Sequence, residues 1–460
     1  MSGISGKIIK TAMASATLLL LSVMNLYGAG YVDQHYVIKN EDLVAGIETS
    51  QGVQISEDGR RVMLVDGTTY GYVIFKPQAS AEPFDRGLPS WNGTAPDDRC
   101  GFMVQMRFPY GNGWSPWLTV GYWKRYIFGS YGSTSYGGGY IDYDYVKLYS
   151  YQSEWQFKVI LRRQVASLPT PEIYKLSFFI SDSRTTATLN MSQIVQDKPD
   201  EIFIPTEFLY QYAIDDQIGG SICSPTSVSM ILKSYDIDVD PLEFARDTRD
   251  PYYGLFGVWP RVVQNAAEYG LDGAVTRYRS WSEARDVLAM GGRIAMSVSK
   301  PLYSGHLMML AGFTSQGNPI VHDPARSNGY GYIFNKTSLS QSWFNKGGIA
   351  YTFFPEDDLS VSVDRIADRT AVPDGVRLLQ NYPNPFNGGT QITFSLPHTA
   401  LVDLSVYDIR GRHVETLLAG ELASGSHVMM WQPSDLPSGM YCIRLSVDDY
   451  LQTIRALYLK

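Results

Sequence analysis

Cys223 stands in Gly219-Gly220-Ser221-Ile222-Cys223-Ser224-Pro225-Thr226-Ser227, a glycine-bearing loop that runs straight into a predicted helix. Val228, Ile231, Leu232 and Tyr235 recur at the spacing of one buried helical face. Pro225 suits the first turn, where its missing N–H costs nothing. Cys223 therefore falls at or just before a helix N-terminus, where the macrodipole and unpaired N–H groups favour an anion. There a thiol becomes a thiolate near neutral pH, and the thiolate is the nucleophile. A free cysteine without partners is ordinarily a small buried hydrophobe. Partners decide between the two.

A thiolate nucleophile needs a general base held by an orienting group. Of six histidines, His306 and His322 lie near Cys223 in the chain. His306 opens an apolar run to Phe313, Thr314 to Asn318 reads as a turn, and Pro319 to Asp323 reads as a second short strand. The pattern predicts an antiparallel hairpin. His306 and Asp323 then meet at its open end, within a residue or two of opposite each other. His322 points to the other face of its strand and reads as a polar surface or supporting residue. For the oxyanion, a side-chain amide beside the nucleophile's own N–H is the usual donor pair. Gln211 follows the strand-like Ile202 to Tyr210 segment and is the favoured amide, with Gln217 the alternative.

The segment resembles the papain-fold cysteine peptidases of family C thirty-nine, the bacteriocin-leader-processing group and its free-standing extracellular relatives. The resemblance rests on Ile222-Cys223-Ser224-Pro225-Thr226-Ser227, Ser304-Gly305-His306-Leu307, Gly312-Phe313-Thr314 and Asp323-Pro324-Ala325, in the family's order. Many members carry Gly after the nucleophile, where this chain has Ser224. The resemblance implies Cys223 as nucleophile, His306 as base and then acid, and Asp323 as orienter. It also implies a peptide or protein substrate and no cofactor. Metal-binding spacings such as Cys-x-x-Cys are absent, so no zinc is expected.

These residues need elements to position them, and the chain of 460 residues is long enough for about three domains. With 44% hydrophobic and 13% aromatic residues, well-formed, β-rich cores are expected. The net charge of −8 argues against nucleic acid or an anionic membrane as partner. Residues 1–29 read as a signal peptide: Lys7 and Lys10, an apolar Ala12 to Met24 stretch, then small residues. That stretch is short for a transmembrane span, and no other segment offers one. Cys100, Cys223 and Cys442 fall in separate predicted domains, so a disulfide framework is not expected.

Residues 30–200 read as an all-β sandwich or jelly roll, with short strands at 61–65, 70–75, 101–108 and 157–161. Pro83-Phe84-Asp85 and Leu88-Pro89-Ser90-Trp91-Asn92 resemble an accessory domain that precedes such peptidases. Its tryptophans and the Tyr126 to Tyr145 stretch read mainly as core aromatics with a decorated hairpin. A stacking platform for a cell-surface glycan is the other reading. Residues 201–358 read as an α+β papain-like domain, with a helix from Trp259 to Tyr269 and a capping box at Ser280 to Glu283. Residues 359–376 read as a linker.

Residues 377–460 read as a third, all-β unit. Asn381-Tyr382-Pro383-Asn384-Pro385-Phe386-Asn387, Val406-Tyr407-Asp408-Ile409-Arg410-Gly411-Arg412, Leu436-Pro437-Ser438-Gly439-Met440-Tyr441 and the terminal Lys460 resemble the C-terminal sorting domain of type IX secretion cargo. That family is an immunoglobulin-like sandwich related to FlgD, and it implies contact with the type IX machinery and delivery to the cell surface or medium. The whole then reads as a secreted or surface-attached cysteine peptidase. The alternatives are a surface glycan-binding or adhesion protein with a silent papain-like domain, or a peptidoglycan amidase or transpeptidase using the same triad. Independent folding of residues 201–358 is a further expectation.

Overall fold

The computed structural model describes residues 32–124, 128, 131–186 and 201–356, then 376–378, 381, 386, 390–396, 398–408, 410–423, 425–433, 436–448 and 450–458. The expected signal peptide and nearly all of the expected linker lie outside the described residues. The chain is multidomain and mostly β-sheet, with 48% strand and 17% helix in several sheets. Residues up to 362 form one compact unit and the remainder a second. Among the described residues no helix is long and apolar enough to cross a membrane.

The first sheet system is organised by two long strands, Gln78–Thr94 and Tyr145–Arg163. The first half of Tyr145–Arg163 pairs with Gln78–Thr94. Its second half pairs with Cys100–Arg107 and Tyr70–Phe75. Register shifts between Lys147 and Glu154 mark the changeover, where irregular pairing lets a strand bend between two faces. The core is aromatic, with Phe84 edge-on to both Trp155 and Phe178 at centroid distances of 5.6 Å. Trp91 is fully buried, so it is core rather than platform.

The second system is a six-stranded antiparallel sheet in the order Ile202–Phe203, His306–Phe313, Arg293–Val298, Ile349–Pro355, Leu271–Arg277, with Pro319–His322 also paired to His306–Phe313. The strand expected from Ile202 to Tyr210 is only two residues long, and Gln211 opens a short helix instead. Helix Cys223–Lys233 packs on this sheet and is buried from Ser224 to Leu232, all round rather than on one face. Ser227 Oγ donates to Leu307 O at 3.1 Å, fastening the helix to the central strand. Ser280 caps helix Trp281–Ala289, its Oγ accepting from the Glu283 N–H at 3.2 Å as the capping pattern predicts.

Leu271–Arg277 is the outer strand of this sheet, and its outward N–H groups are sealed by the first sheet system. Gly273 N donates to Asn92 Oδ1 and Val275 N to Ser90 Oγ, both at 3.1 Å. The Ser90-Trp91-Asn92 motif is thus an edge seal with a tryptophan anchor. Around it Lys39 and Lys175 converge on Asp272. Glu268 accepts from Trp123 Nε1 at 2.6 Å and Ala95 N at 2.8 Å. Arg279 makes a two-pronged pair with Asp33, at 2.6 and 3.1 Å, with both side chains 1% exposed. The two sheet systems share a buried, charged interface, which bears directly on the expectation that residues 201–358 fold alone.

The C-terminal unit holds a four-stranded antiparallel sheet, His413–Leu422, Ala400–Asp408, Gly439–Val447, Tyr450–Tyr458 in spatial order. A three-stranded sheet joins Arg377–Leu378, Thr390–Leu396 and Gly425–Trp431. Leu404, Val406, Ile443, Leu445, Ile392 and Trp431 fill its core. Of the Asn381 to Asn387 motif, Asn381 and Phe386 are described and both are buried. Cys442 is half-buried, because its strand alternates faces.

Candidate active site

Cys223 is the first residue of its helix, so the glycine-bearing turn delivers the thiol to the helix N-terminus. His306 is the first residue of strand His306–Phe313, and Asp323 directly follows strand Pro319–His322. His306 Nε2 lies 2.7 Å from Asp323 Oδ1. With Nε2 held by the carboxylate, Nδ1 is the nitrogen left to face Cys223, whose thiol and this ring shift one another's titration. The result is a thiol–imidazole–carboxylate relay in a largely buried setting.

A single extra residue makes this relay possible. Met309 pairs with His322 and Leu310 with Val321, but Gly312, not Ala311, pairs with Ile320. Without that bulge Asp323 would fall across from Met309, on the opposite face from His306. With it, Asp323 falls across from Met308, two residues along and on the same face as His306. Gly312 takes φ +145, and a Cβ there would lie 1.8 Å from Ile202 O. Only glycine fits both demands.

Burial alone would push the Cys223 thiol up. The His306 ring and the N–H groups of Leu307 and Ser224 outweigh it and hold the thiol below its ordinary value. Burial likewise disfavours imidazolium, but hydrogen bonds to Asp323 and Cys223 lift His306 to about 9. Asp323 is held below the usual carboxylate range against its own burial, chiefly by His306. All three shifts run in the same sense, each favouring the charged form of its group.

Tyr303 was not legible as part of this group. Its hydroxyl donates to Asp323 Oδ2 at 2.5 Å, and its ring lies over His306 with centroids 4.3 Å apart. The Ala325 N–H donates to Asp323 Oδ1 at 3.0 Å. Tyr303 sits in a loop, where no periodicity aims a side chain; an aromatic three residues before the base was the sole cue. Tyr303→Phe removes a hydrogen bond to an ionised group, an interaction worth about 1.5–3 kcal/mol. We expect a roughly tenfold fall in kcat. The alkaline limb of the pH–rate profile should also move, which a purely structural change would leave in place.

Gln211 is buried beneath the turn leading to Cys223; its Nε2 donates to Gly219 O at 2.6 Å, and its Oε1 has no partner among the described residues. Its own N–H donates to Pro324 O at 2.9 Å, linking it to the Asp323 loop. Gln217 is exposed, its backbone N–H turned to Asp215. His322 is fully buried rather than at the surface, because its sheet is covered on both faces. It is wedged between Ile204 O at 2.9 Å and Gly331 N at 3.0 Å, and burial holds it neutral.

Residues 203–351 match the model of the Peptidase_C39 like family, and residues 380–460 match that of the secretion system C-terminal sorting domain. The second match marks the chain for export to the cell surface or the extracellular space. A search of curated proteins returned no match. Among solved structures, PorZ, an essential bacterial surface component of the type IX secretion system of Porphyromonas gingivalis, aligns at 17% identity and TM-score 0.14. The alignment covers 36% of this chain and 22% of that one. A Faecalibacterium prausnitzii β-glucuronidase aligns at 8% identity and TM-score 0.13, over 86% of this chain and 38% of its own. The chain thus spans well under half the length of either, and neither likeness carries an argument about fold or activity.

Proposed function

We propose that this protein is a secreted or surface-attached cysteine peptidase that hydrolyses peptide bonds through an acyl-enzyme. The observation that carries the reading is the Cys223–His306–Asp323 relay, with the thiol depressed and the imidazole raised. Cys223 Sγ attacks the scissile carbonyl, and the carbonyl electrons move onto oxygen. We assign the Cys223 N–H and the Gln211 amide, whose Nε2 also donates to Gly219 O, as the donors to that oxyanion. His306 passes its proton to the leaving amine as the C–N bond breaks, leaving a thioester. It then takes a proton from water, which attacks the thioester and restores the thiol. Asp323 and Tyr303 hold the ring throughout. In this reading the central unit is papain-like, with a helix carrying the nucleophile and a sheet carrying the base. The flanking units are β-sandwiches, the last of them engaging the type IX secretion machinery.

The ion pair fixes the pH dependence. Falling pH protonates the thiolate as it passes the depressed Cys223 value, so activity declines on the acid side. Rising pH through about 9 removes the imidazolium proton needed by the leaving amine, so activity declines there too. Turnover of a cleaved peptide should therefore be bell-shaped, with its limbs belonging to the pair as a whole. Alkylation by iodoacetamide should remain fast as pH falls below the free-thiol range. A Cys223 that reacts only as pH approaches the free-thiol value of about 8.5 would contradict the peptidase reading and favour a silent domain.

A further inference from the structure

The second half of strand Tyr145–Arg163 is paired on both sides, to Cys100–Arg107 and to Tyr70–Phe75. Its side chains alternate between two faces. Phe157, Val159 and Leu161 point inward and are buried in the aromatic core. Lys158, Ile160 and Arg162 point outward. Gln105 and Met103 stand across from Lys158 and Ile160 on one neighbour; Tyr72 and Tyr70 stand across from Ile160 and Arg162 on the other.

This outer face is basic and aromatic, in a chain whose net charge is −8. Arg107 lies over the rings of Trp114 and Trp117, at 5.1 and 4.4 Å from their centroids. Lys158 lies over Tyr72 at 5.3 Å and over the same Trp117 at 5.7 Å. Arg162 lies over Tyr70 at 5.7 Å. Two like charges thus converge on one indole, and among the described residues neither Arg107 nor Lys158 forms an ion pair. Arg107 Nε donates to Gln156 Oε1 at 2.6 Å, and Glu48, an acid at this rim, accepts from Gln156 Nε2 at 2.6 Å. Burial and the Arg107 charge lower the Lys158 ammonium, so an arriving anion would relieve both cations.

Beside Arg162 the face holds a cleft of about 430 Å³, lined in part by Tyr70, Gln105, Phe128 and Tyr131. That size is within the range of small-ligand sites. One wall is fixed: the Tyr131 hydroxyl donates to Val120 O at 3.2 Å, and its ring stacks on Tyr252 with centroids 4.6 Å apart. Rings interleaved with cations suit a ligand that has flat apolar faces and sparse carboxylates. The pyranose rings of an acidic sugar have both, C–H groups on the ring face and a carboxylate at its edge. Lys158 and Arg162 stand about 13 Å apart along the strand, the reach of a few linked rings. An extended peptide would seek a free strand edge, and here both edges of the central strand are paired. The sorting domain sends the chain to the cell surface or medium, where saccharides are exposed.

We propose that this face binds an acidic oligosaccharide, with carboxylates on Arg107, Lys158 and Arg162 and ring faces on Tyr70, Tyr72 and Trp117. The cleft takes one sugar ring. The face does this whether or not Cys223 is catalytic.

Calorimetric titration of the full chain compares three probes: a short oligogalacturonate, its methyl ester, and an oligoglutamate of equal charge. The acid should bind. The ester keeps the rings without the charges and should bind about fivefold more weakly, as should the oligoglutamate, which keeps the charges without the rings. Lys158→Gln should weaken the acid about fivefold and leave the ester unchanged. Tyr70→Ser, at an exposed position, should weaken acid and ester alike. An ester that binds as well as the acid overturns recognition by charge. An oligoglutamate that binds as well as the acid overturns the saccharide and makes the face an acidic-peptide site. Absence of acid binding, or full binding by both variants, overturns the proposal outright.

Discussion

Cys223→Ala is expected to lower kcat/KM on a cleaved peptide by at least ~10⁴-fold, the scale on which removing a nucleophile disables a triad. The fold should survive. Cys223 is at the first position of its helix, where alanine is compatible, and the buried stretch from Ser224 to Leu232 is untouched. The thermal midpoint should stay within a few degrees of the parent's, because one small side chain is worth about 1 kcal/mol at such a site. His306→Ala should lose a comparable factor, since the two act as a unit and their losses do not add. A Cys223→Ala protein with full proteolytic activity would end the peptidase reading, whatever the family match.

The second large effect concerns Asp33. Asp33→Ala leaves the Arg279 guanidinium, 1% exposed, without its carboxylate partner, 246 residues away in sequence. Breaking a buried pair by deleting one side costs about 3–5 kcal/mol, because the surviving charge keeps its desolvation penalty. Urea denaturation of residues 32–358 should report a loss of that size. The same reasoning predicts that residues 201–358 alone will be insoluble or unfolded. They would expose Arg279 without Asp33 and Asp272 without Lys39 and Lys175, together with the N–H edge of Leu271–Arg277. A soluble, cooperatively folding 201–358 fragment, or an Asp33→Ala variant within 1 kcal/mol of the parent, would show the interface to be incidental.

The difference between what was and was not legible follows from how far each signal reaches along the chain. The Cys223 helix and its N-terminal thiol were readable because a glycine turn, a proline and an apolar run lie within a dozen residues. The Ser280 cap was readable for the same reason. The hairpin of His306 and Asp323 was readable in outline. Its bulge was not, because the extra residue answers to Ile202, more than a hundred positions earlier. Alternation placed His322 away from Asp323 but could not choose between a surface and a supporting place, since it cannot tell a half-covered sheet from one buried on both faces. Tyr303 and the Asp33–Arg279 pair are tertiary facts without a local period. The Ser90-Trp91-Asn92 motif was visible as a pattern, but its purpose needed the partner strand.

That motif also bears on how the chain survives being made. A newly emerged polypeptide presents its N-terminal segments first, and Gln78–Thr94 precedes Leu271–Arg277 by nearly two hundred residues. The hydroxyl of Ser90 and the amide oxygen of Asn92 are therefore present before the strand whose edge they close. An unsealed strand edge is a template for pairing with another molecule, and crowded export intermediates are where such pairing begins. Side-chain acceptors close that edge without offering a further strand to extend it. The first sheet system thus leaves these edge N–H groups no second molecule to pair with.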